Sequence, residues 1–162
     1  MTTKEYNEIV DLWADAVFRF IFKQLRHEED ARDVVQNAFE VLWKQHADIK
    51  AEKAKSYLFS TAYHNMIDFI RKQKRLDYVE EIDESAKGGT SDYQSDLKEV
   101  LDKALDTLPE IQKSVVLLRD YEGYSYEEIG GILELSESQV KVYIFRARQA
   151  LKKYLVSIHH II

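Results

Sequence analysis

The chain has 162 residues, of which 45% are apolar and 32% charged, and it carries one proline, five glycines and no cysteine. That balance describes a globular protein and excludes a disordered tail, while the scarcity of proline and glycine favours long helices over a turn-rich sandwich. Without cysteine neither a disulfide framework nor a thiolate metal site can form.

The first residues mix Lys4 with Glu5, Glu8, Asp11 and Asp15, so neither the basic start nor the apolar core of a signal peptide is present. No run approaches the roughly 18 apolar residues of a membrane span. The sequence thus reads as a cytoplasmic chain without membrane insertion. Ile9, Leu12, Trp13, Ala16, Val17, Phe20 and Ile21 recur at three- and four-residue spacing, the stripe of an amphipathic helix. Beyond the polar stretch His27–Asp30, a second stripe runs through Val34, Val35, Ala38, Phe39, Leu42 and Trp43. A loop is expected around His46 to Ala54. A third helix is expected from Ser56 to Lys74, with Phe59, Ala62, Tyr63, Met66 and Ile70 on one face.

The periodicity dissolves between Asp77 and Asp96, where acids and Gly88-Gly89-Thr90-Ser91 read as a flexible linker. Helical spacing resumes with Leu97, Val100, Leu101, Ala104, Leu105 and Leu108, and Pro109 stands where another helix would begin. Val115, Val116, Leu117 and Leu118 supply the core of that next helix. The expected architecture is therefore all-α: two small helical domains, 1–76 and 97–162, joined by an acidic linker over 77–96. Domains this small bury a modest fraction of their surface, so partners are expected.

The segment from Tyr124 to Val140 has the grammar of a helix-turn-helix. Ser125 with Glu128, and Ser136 with Gln139, each form a capping box at a helix start. Ile129, Ile132 and Leu133 would face the core, and Gly130 is small where two helices must approach. The turn lacks the glycine that many such motifs carry. On the second helix Val140, Ile144, Ala147 and Leu151 share one face; Lys141, Val142, Phe145, Arg146 and Gln149 lie opposite, with Arg148 at the flank. Arg or Lys for phosphate and guanine, an amide for adenine and an apolar group for a thymine methyl are what a recognition helix uses in the major groove.

Charge is distributed to match. The net charge is −6, yet Lys53 to Arg75 holds Lys53, Lys55, Arg71, Lys72, Lys74 and Arg75 against the single acid Asp68, and Gln139 to Lys153 holds Lys141, Arg146, Arg148, Lys152 and Lys153 with no acid. The acids concentrate between these stretches. Two basic footprints on an acidic body fit nucleic-acid binding. Helix ends also gather Lys and Arg against the dipole, which is the competing explanation for either stretch alone.

These residues resemble a known family. Leu108-Pro109-Glu110-Ile111-Gln112, Leu117-Leu118-Arg119-Asp120-Tyr121-Glu122-Gly123-Tyr124-Ser125-Tyr126-Glu127-Glu128-Ile129 and Arg146-Ala147-Arg148-Gln149-Ala150-Leu151 resemble the region-four domain of extracytoplasmic-function (ECF, group IV) sigma factors of the sigma-70 family. Asp33-Val34-Val35-Gln36-Asn37-Ala38-Phe39 resembles the region-two helix that docks on the polymerase clamp. Tyr57-Leu58-Phe59-Ser60, His64-Asn65-Met66-Ile67-Asp68 and Arg71-Lys72-Gln73-Lys74-Arg75 resemble the helix that holds the −10 element. The matches occur in the family's order and cover nearly the whole chain.

The resemblance implies a promoter-recognition subunit that works with RNA polymerase core enzyme and promoter DNA, serves stress or envelope-signal genes and is held in check by a membrane-bound or soluble anti-sigma factor. It implies polymerase contact through Asp33, Gln36 and Glu40, with Phe39 and Trp43 packed inside. Tyr57, His64, Asn65, Arg71, Lys72, Lys74 and Arg75 would serve the −10 element, where extracting a base costs a few kcal/mol and calls for stacking groups; the His46–Ala54 loop would help capture that base. Two positions depart from the pattern. His64 stands where asparagine or arginine is frequent, and Tyr143 where a base is frequent, which affects the preferred promoter. Acids of the linker, Glu80, Glu81, Asp83 and Glu84, are suited to imitating nucleic-acid charge.

A stand-alone helix-turn-helix regulator is the alternative; it needs a dimer to read paired half-sites and leaves the first module unexplained. An enzyme finds little support. His27, His46, His64, His159 and His160 show no metal-ligand spacing, and neither a glycine-rich phosphate loop nor a nucleophile–histidine pair is present. No cofactor, metal or catalytic residue is expected.

Overall fold

A computed structural model describes residues 1–79 and 96–161; the acidic segment 80–95, which carries Glu80, Glu81, Asp83 and Glu84, lies outside the described residues, as do the side chains of His159 and His160. All regular structure among the described residues is helical. The first domain holds α1 (Thr3–Leu25), α2 (Glu28–Gln45) and α3 (Ala51–Val79); the second holds α4 (Asp96–Asp106), α5 (Glu110–Val116), α6 (Tyr126–Leu133) and α7 (Glu137–Ile161).

Helix α1 begins at a capping box in which Thr2 and Glu5 satisfy each other's backbone N–H groups, and ends at Arg26 in the left-handed conformation. His27 caps α2 by accepting from the Asp30 N–H through Nδ1. Helices α1, α2 and α3 form a three-helix bundle around Val17, Phe20, Ile21, Ala38, Leu42, Leu58, Phe59 and Met66, all at or near complete burial. Helix α3 is longer than the periodicity predicts at both ends. The expected loop from His46 to Ala54 is instead a 3-10 turn over His46–Asp48 followed by the first turn of α3. The N-terminal ammonium ties that turn down by donating to the carbonyls of His46 and Ile49, each at 2.8 Å.

Three apolar residues are not where their stripes place them. Leu12 is 65% exposed, because the bundle covers the Trp13–Ala16 side of α1 and leaves Leu12 at its edge. Trp43 is 44% exposed and packs outside the core, stacked on His46 at 4.3 Å and edge-on to Tyr6 at 5.0 Å. Phe39 does pack against the core, half-buried. Leu97, in the first turn of α4, also lies open to solvent.

In the second domain Pro109 occupies the N-cap of α5, just before its first helical residue. A π-helical turn over Leu117–Tyr121 follows α5, with the Glu122 N–H reaching back to the Leu117 carbonyl at 3.1 Å. The capping boxes at Ser125/Glu128 and Ser136/Gln139 both form. The turn between α6 and α7 manages without glycine by placing Glu134 in the left-handed region, φ 58° and ψ 46°. Gly130 permits that turn. Its carbonyl accepts from both Glu134 and Leu135, and a Cβ on it would stand 2.6 Å from the Leu135 carbonyl oxygen.

Gly130→Ala should therefore destabilise the second domain by about 1–3 kcal/mol, the usual cost of overpacking, measured as a lower urea midpoint. An unchanged midpoint would contradict this account of the turn.

Candidate nucleic-acid interface

The recognition surface follows from which side of α7 is buried. Val140, Ile144 and Ala147 pack inward, so the opposite side must face solvent, and Lys141, Val142, Phe145, Arg146, Arg148 and Gln149 are all exposed there. Phe145 is 64% exposed. A large aromatic on a basic, acid-free face contributes nothing to the core and is free to meet a ligand. Tyr126 of α6 flanks this face, its ring 4.3 Å from the Arg119 guanidinium and 5.5 Å from the Lys141 ammonium. Tyr126 and Lys141, together with Ile144, Phe145, Arg148 and Gln149, border an open groove of about 450 Å³. Arg148 and Arg146 are not equivalent. Arg148 donates to Asp120 at 2.6 and 3.2 Å, a pairing that raises its pKa, whereas Arg146 makes no ion pair among the described residues. A phosphate or base meeting Arg148 must compete with Asp120; one meeting Arg146 need not.

The second basic surface lies on α3. Arg71, Lys72, Lys74 and Arg75 form an exposed run near its C-terminal end, none of them ion-paired among the described residues. Toward the middle of α3 the side chains are tethered. The Tyr57 hydroxyl donates to Gln45 Oε1 at 2.8 Å, the Asn65 amide donates to Asn37 Oδ1 at 2.7 Å, and His64 Nε2 lies 3.5 Å from a Glu134 carboxylate oxygen. Asn37 belongs to the exposed side of α2 that also presents Asp33, Gln36 and Glu40. The Asn37–Asn65 bond thus joins that face directly to α3.

Sequence reasoning missed a third feature, a seam between the two domains. Lys55 of α3 sits with its ammonium 4.2 Å from the Trp13 ring and 3.7 Å from the Tyr124 ring, and donates to Glu128 at 2.6 Å. Tyr124 also meets Phe59 edge-on at 5.5 Å and Trp13 at 6.2 Å. Arg19 donates to Glu122 at 2.8 Å, Arg26 pairs with Asp102 at 2.7 Å, and Ser114 donates to Gln24 at 3.1 Å. Burial pushes the Tyr124 phenol up to about 12. The hydrogen bond from Lys55 is the largest of the effects that hold the Glu128 carboxyl below its ordinary range. Trp13 and Tyr124 were visible as apolar or motif residues; a lysine and a glutamate paired across 73 positions leave no local signal.

Two family models match the chain, Sigma-70 region 2 over residues 9–76 and Sigma-70, region 4 over residues 98–151. The chain belongs to the ECF sigma factors of the sigma-70 family. The ECF RNA polymerase sigma factor SigM of Bacillus subtilis is 28% identical, over 90% of this chain and 92% of SigM. The fold is shared with solved sigma factors. RpoE of Bartonella quintana, in complex with the anti-sigma factor NepR, superimposes with a TM-score of 0.76 at 24% identity, covering 94% of this chain and 98% of that one. CnrH, in complex with the cytosolic domain of CnrY, gives 0.71 at 22% identity, over 96% of this chain and 90% of CnrH. As a sigma factor the chain directs promoter-specific transcription initiation with RNA polymerase. Sigma factors act by binding and are not enzymes in the catalytic sense.

The depressed Glu128 carboxyl has a consequence for pH. Its bonds stabilise the folded chain fully above the ordinary carboxylate range and are lost as pH falls through the lowered value. Acidification through that range should therefore lower the urea midpoint of the native chain more steeply than that of Glu128→Gln. Equal slopes would show that Glu128 is not held as described.

Proposed function

We propose that this ECF sigma factor, of group IV, reads a split promoter with its two basic surfaces. In this reading Lys141, Val142, Phe145, Arg146 and Gln149 enter the major groove of the −35 element, with Arg148 supporting from the flank. Arg146 and Lys141 suit guanine or phosphate, Gln149 suits adenine, and Val142 and Phe145 suit thymine methyl groups. Tyr57, His64 and Asn65 hold the melted −10 strand while Arg71, Lys72, Lys74 and Arg75 contact its phosphates. Each phosphate contact adds affinity that weakens with salt. Asp33, Gln36 and Glu40 on α2 dock on the core polymerase.

The division of labour follows the domains, 1–76 for polymerase and the −10 element and 97–162 for the −35 element, with 77–96 between them. The observation that carries the reading is the exposed α7 face, where Phe145 and the unpaired Arg146 stand together with no acid beside them. The chain works in the cytoplasm, where its polymerase is. An anti-sigma factor, membrane-bound or soluble, restrains it until a stress or envelope signal arrives; NepR and CnrY are the bound partners of the two structural neighbours.

Run-off transcription with purified core polymerase separates the roles. Arg146→Ala should cost at least tenfold in −35-dependent initiation, about 1.4 kcal/mol or more, with core binding unchanged. Asp33→Ala combined with Gln36→Ala should weaken core binding while the isolated α7 face stays intact. Loss of core binding in Arg146→Ala, or full core affinity in the α2 double variant, would overturn these assignments.

A further inference from the structure

One carboxylate is bonded to the recognition helix, and an irregular stretch of backbone delivers it. Of the α7 cations Lys141, Arg146, Arg148, Lys152 and Lys153, only Arg148 has a carboxylate partner among the described residues. That partner, Asp120, lies 28 positions earlier in the chain, in the π-helical turn Leu117–Tyr121. A π turn holds one residue more than an α turn, and such turns are frequent at functional sites. Here Leu117 and Leu118 stay buried, and the next two residues each anchor a side chain that lines the groove on α7. Arg119 donates to the Tyr124 carbonyl at 2.9 Å and lies 4.3 Å from the Tyr126 ring. Asp120 accepts from Arg148 Nε and Nη2 at 3.2 and 2.6 Å.

A carboxylate in this place opposes DNA binding. Phosphates arriving at Arg148 meet a like charge, whatever the base sequence behind them. Affinity alone therefore does not account for Asp120. Geometry does. The Arg148 side chain is 52% exposed, and a long side chain with no partner would swing to the nearest phosphate. A guanidinium has five N–H donors in one rigid plane. With one edge of that plane bonded to Asp120, the remaining donors are presented in a fixed direction. A free arginine follows any backbone, whereas a fixed one is satisfied only by DNA whose phosphate or base edge comes to that place.

We propose that Asp120 is a positioning residue for −35 recognition: by fixing the Arg148 guanidinium it lowers affinity for DNA of any sequence and sharpens the choice among sequences. The proposal rests on the assignment of the α7 face to the −35 element. The π turn is the device that makes it possible, since it carries Asp120 to α7 while its neighbours remain in the core.

Holoenzyme assembled with the full chain tests this on two DNAs: a promoter selected from a random duplex library, and the same promoter with its −35 element scrambled. Asp120→Ala should bind the scrambled DNA severalfold more tightly than the native chain does. Its log–log salt slope should steepen by about 0.9, the value for one added phosphate contact. The ratio of selected to scrambled affinity should fall severalfold. Asp120→Glu, which keeps the charge and can still pair, should recover most of that ratio. In an Arg148→Ala background, Asp120→Ala should leave the ratio where Arg148→Ala alone puts it, because Asp120 acts through that residue. If Asp120 only supports the fold, both affinities fall together with the urea midpoint. That result, or an unchanged ratio in Asp120→Ala beside a native holoenzyme that discriminates, would overturn the positioning role alone. A native holoenzyme indifferent to the scrambled element would overturn the −35 assignment with it.

Discussion

The ammonium of Lys55 is surrounded by two aromatic faces and one carboxylate, and the arrangement of the two domains depends on that cluster. Trp13 comes from α1, Lys55 from α3, and Tyr124 and Glu128 from either side of the start of α6, so three segments far apart in the chain meet at one charge. A cation held against aromatic rings gains roughly 0.5–1 kcal/mol per contact at exposed sites and about 2 kcal/mol or more when water is excluded. Lys55 is 19% exposed at its side chain, between these limits. The cluster sits above Phe59, which is fully buried. It therefore adds a polar joint to a seam that is otherwise apolar, since the buried residues of both domains form one cluster, and that polar part responds to salt, acidity and competing charges.

That joint gives meaning to the uneven charge of the chain. The second-domain residues that form ion pairs with the first domain, Asp102, Asp106, Glu122, Glu128 and Glu134, are acidic, while the outward side of α7 and the distal end of α3 are basic. A DNA-binding protein with net charge −6 has to keep its cations in patches where the acids do not neutralise them, and the helices do this by angle. On α7 the apolar residues that turn inward fix the orientation of the helix, and the cations follow on the far side. The shared fold with anti-sigma-bound relatives is built from such faces: each helix spends one side on the core and leaves another for a partner.

Much of this could be read from the residues alone. The 3.6-residue stripes located α1, α2 and the body of α3, and the paired Ser–Glu and Ser–Gln boxes marked the starts of α6 and α7. The outward face of α7 was legible because angle around a helix is a local property. The structure added what local properties omit. Leu12 and Trp43 continue their stripes yet lie open, since a three-helix bundle covers a narrower arc than a hydrophobic repeat suggests. The turn at Glu134 was obscured because a glutamate holds the left-handed position where glycine is usual, with the close approach supplied four residues earlier by Gly130. The π-helical turn after α5 had no signature, as its residues are apolar in a way that fits an ordinary helix. Least visible of all was the seam. Arg19, Lys55, Glu122 and Glu128 look like solvated charges, and only the folded backbone brings them into register.

The central claim is that two separate helical surfaces of one chain reach two separate promoter elements when carried by polymerase. Photoreactive side chains placed singly at Phe145 and Lys72, in holoenzyme assembled on promoter DNA, test it most directly. The account predicts that the Phe145 position cross-links only to DNA around −35 and the Lys72 position only to DNA around −10. Cross-links from both positions to a single element, or none that depend on core polymerase, would contradict it.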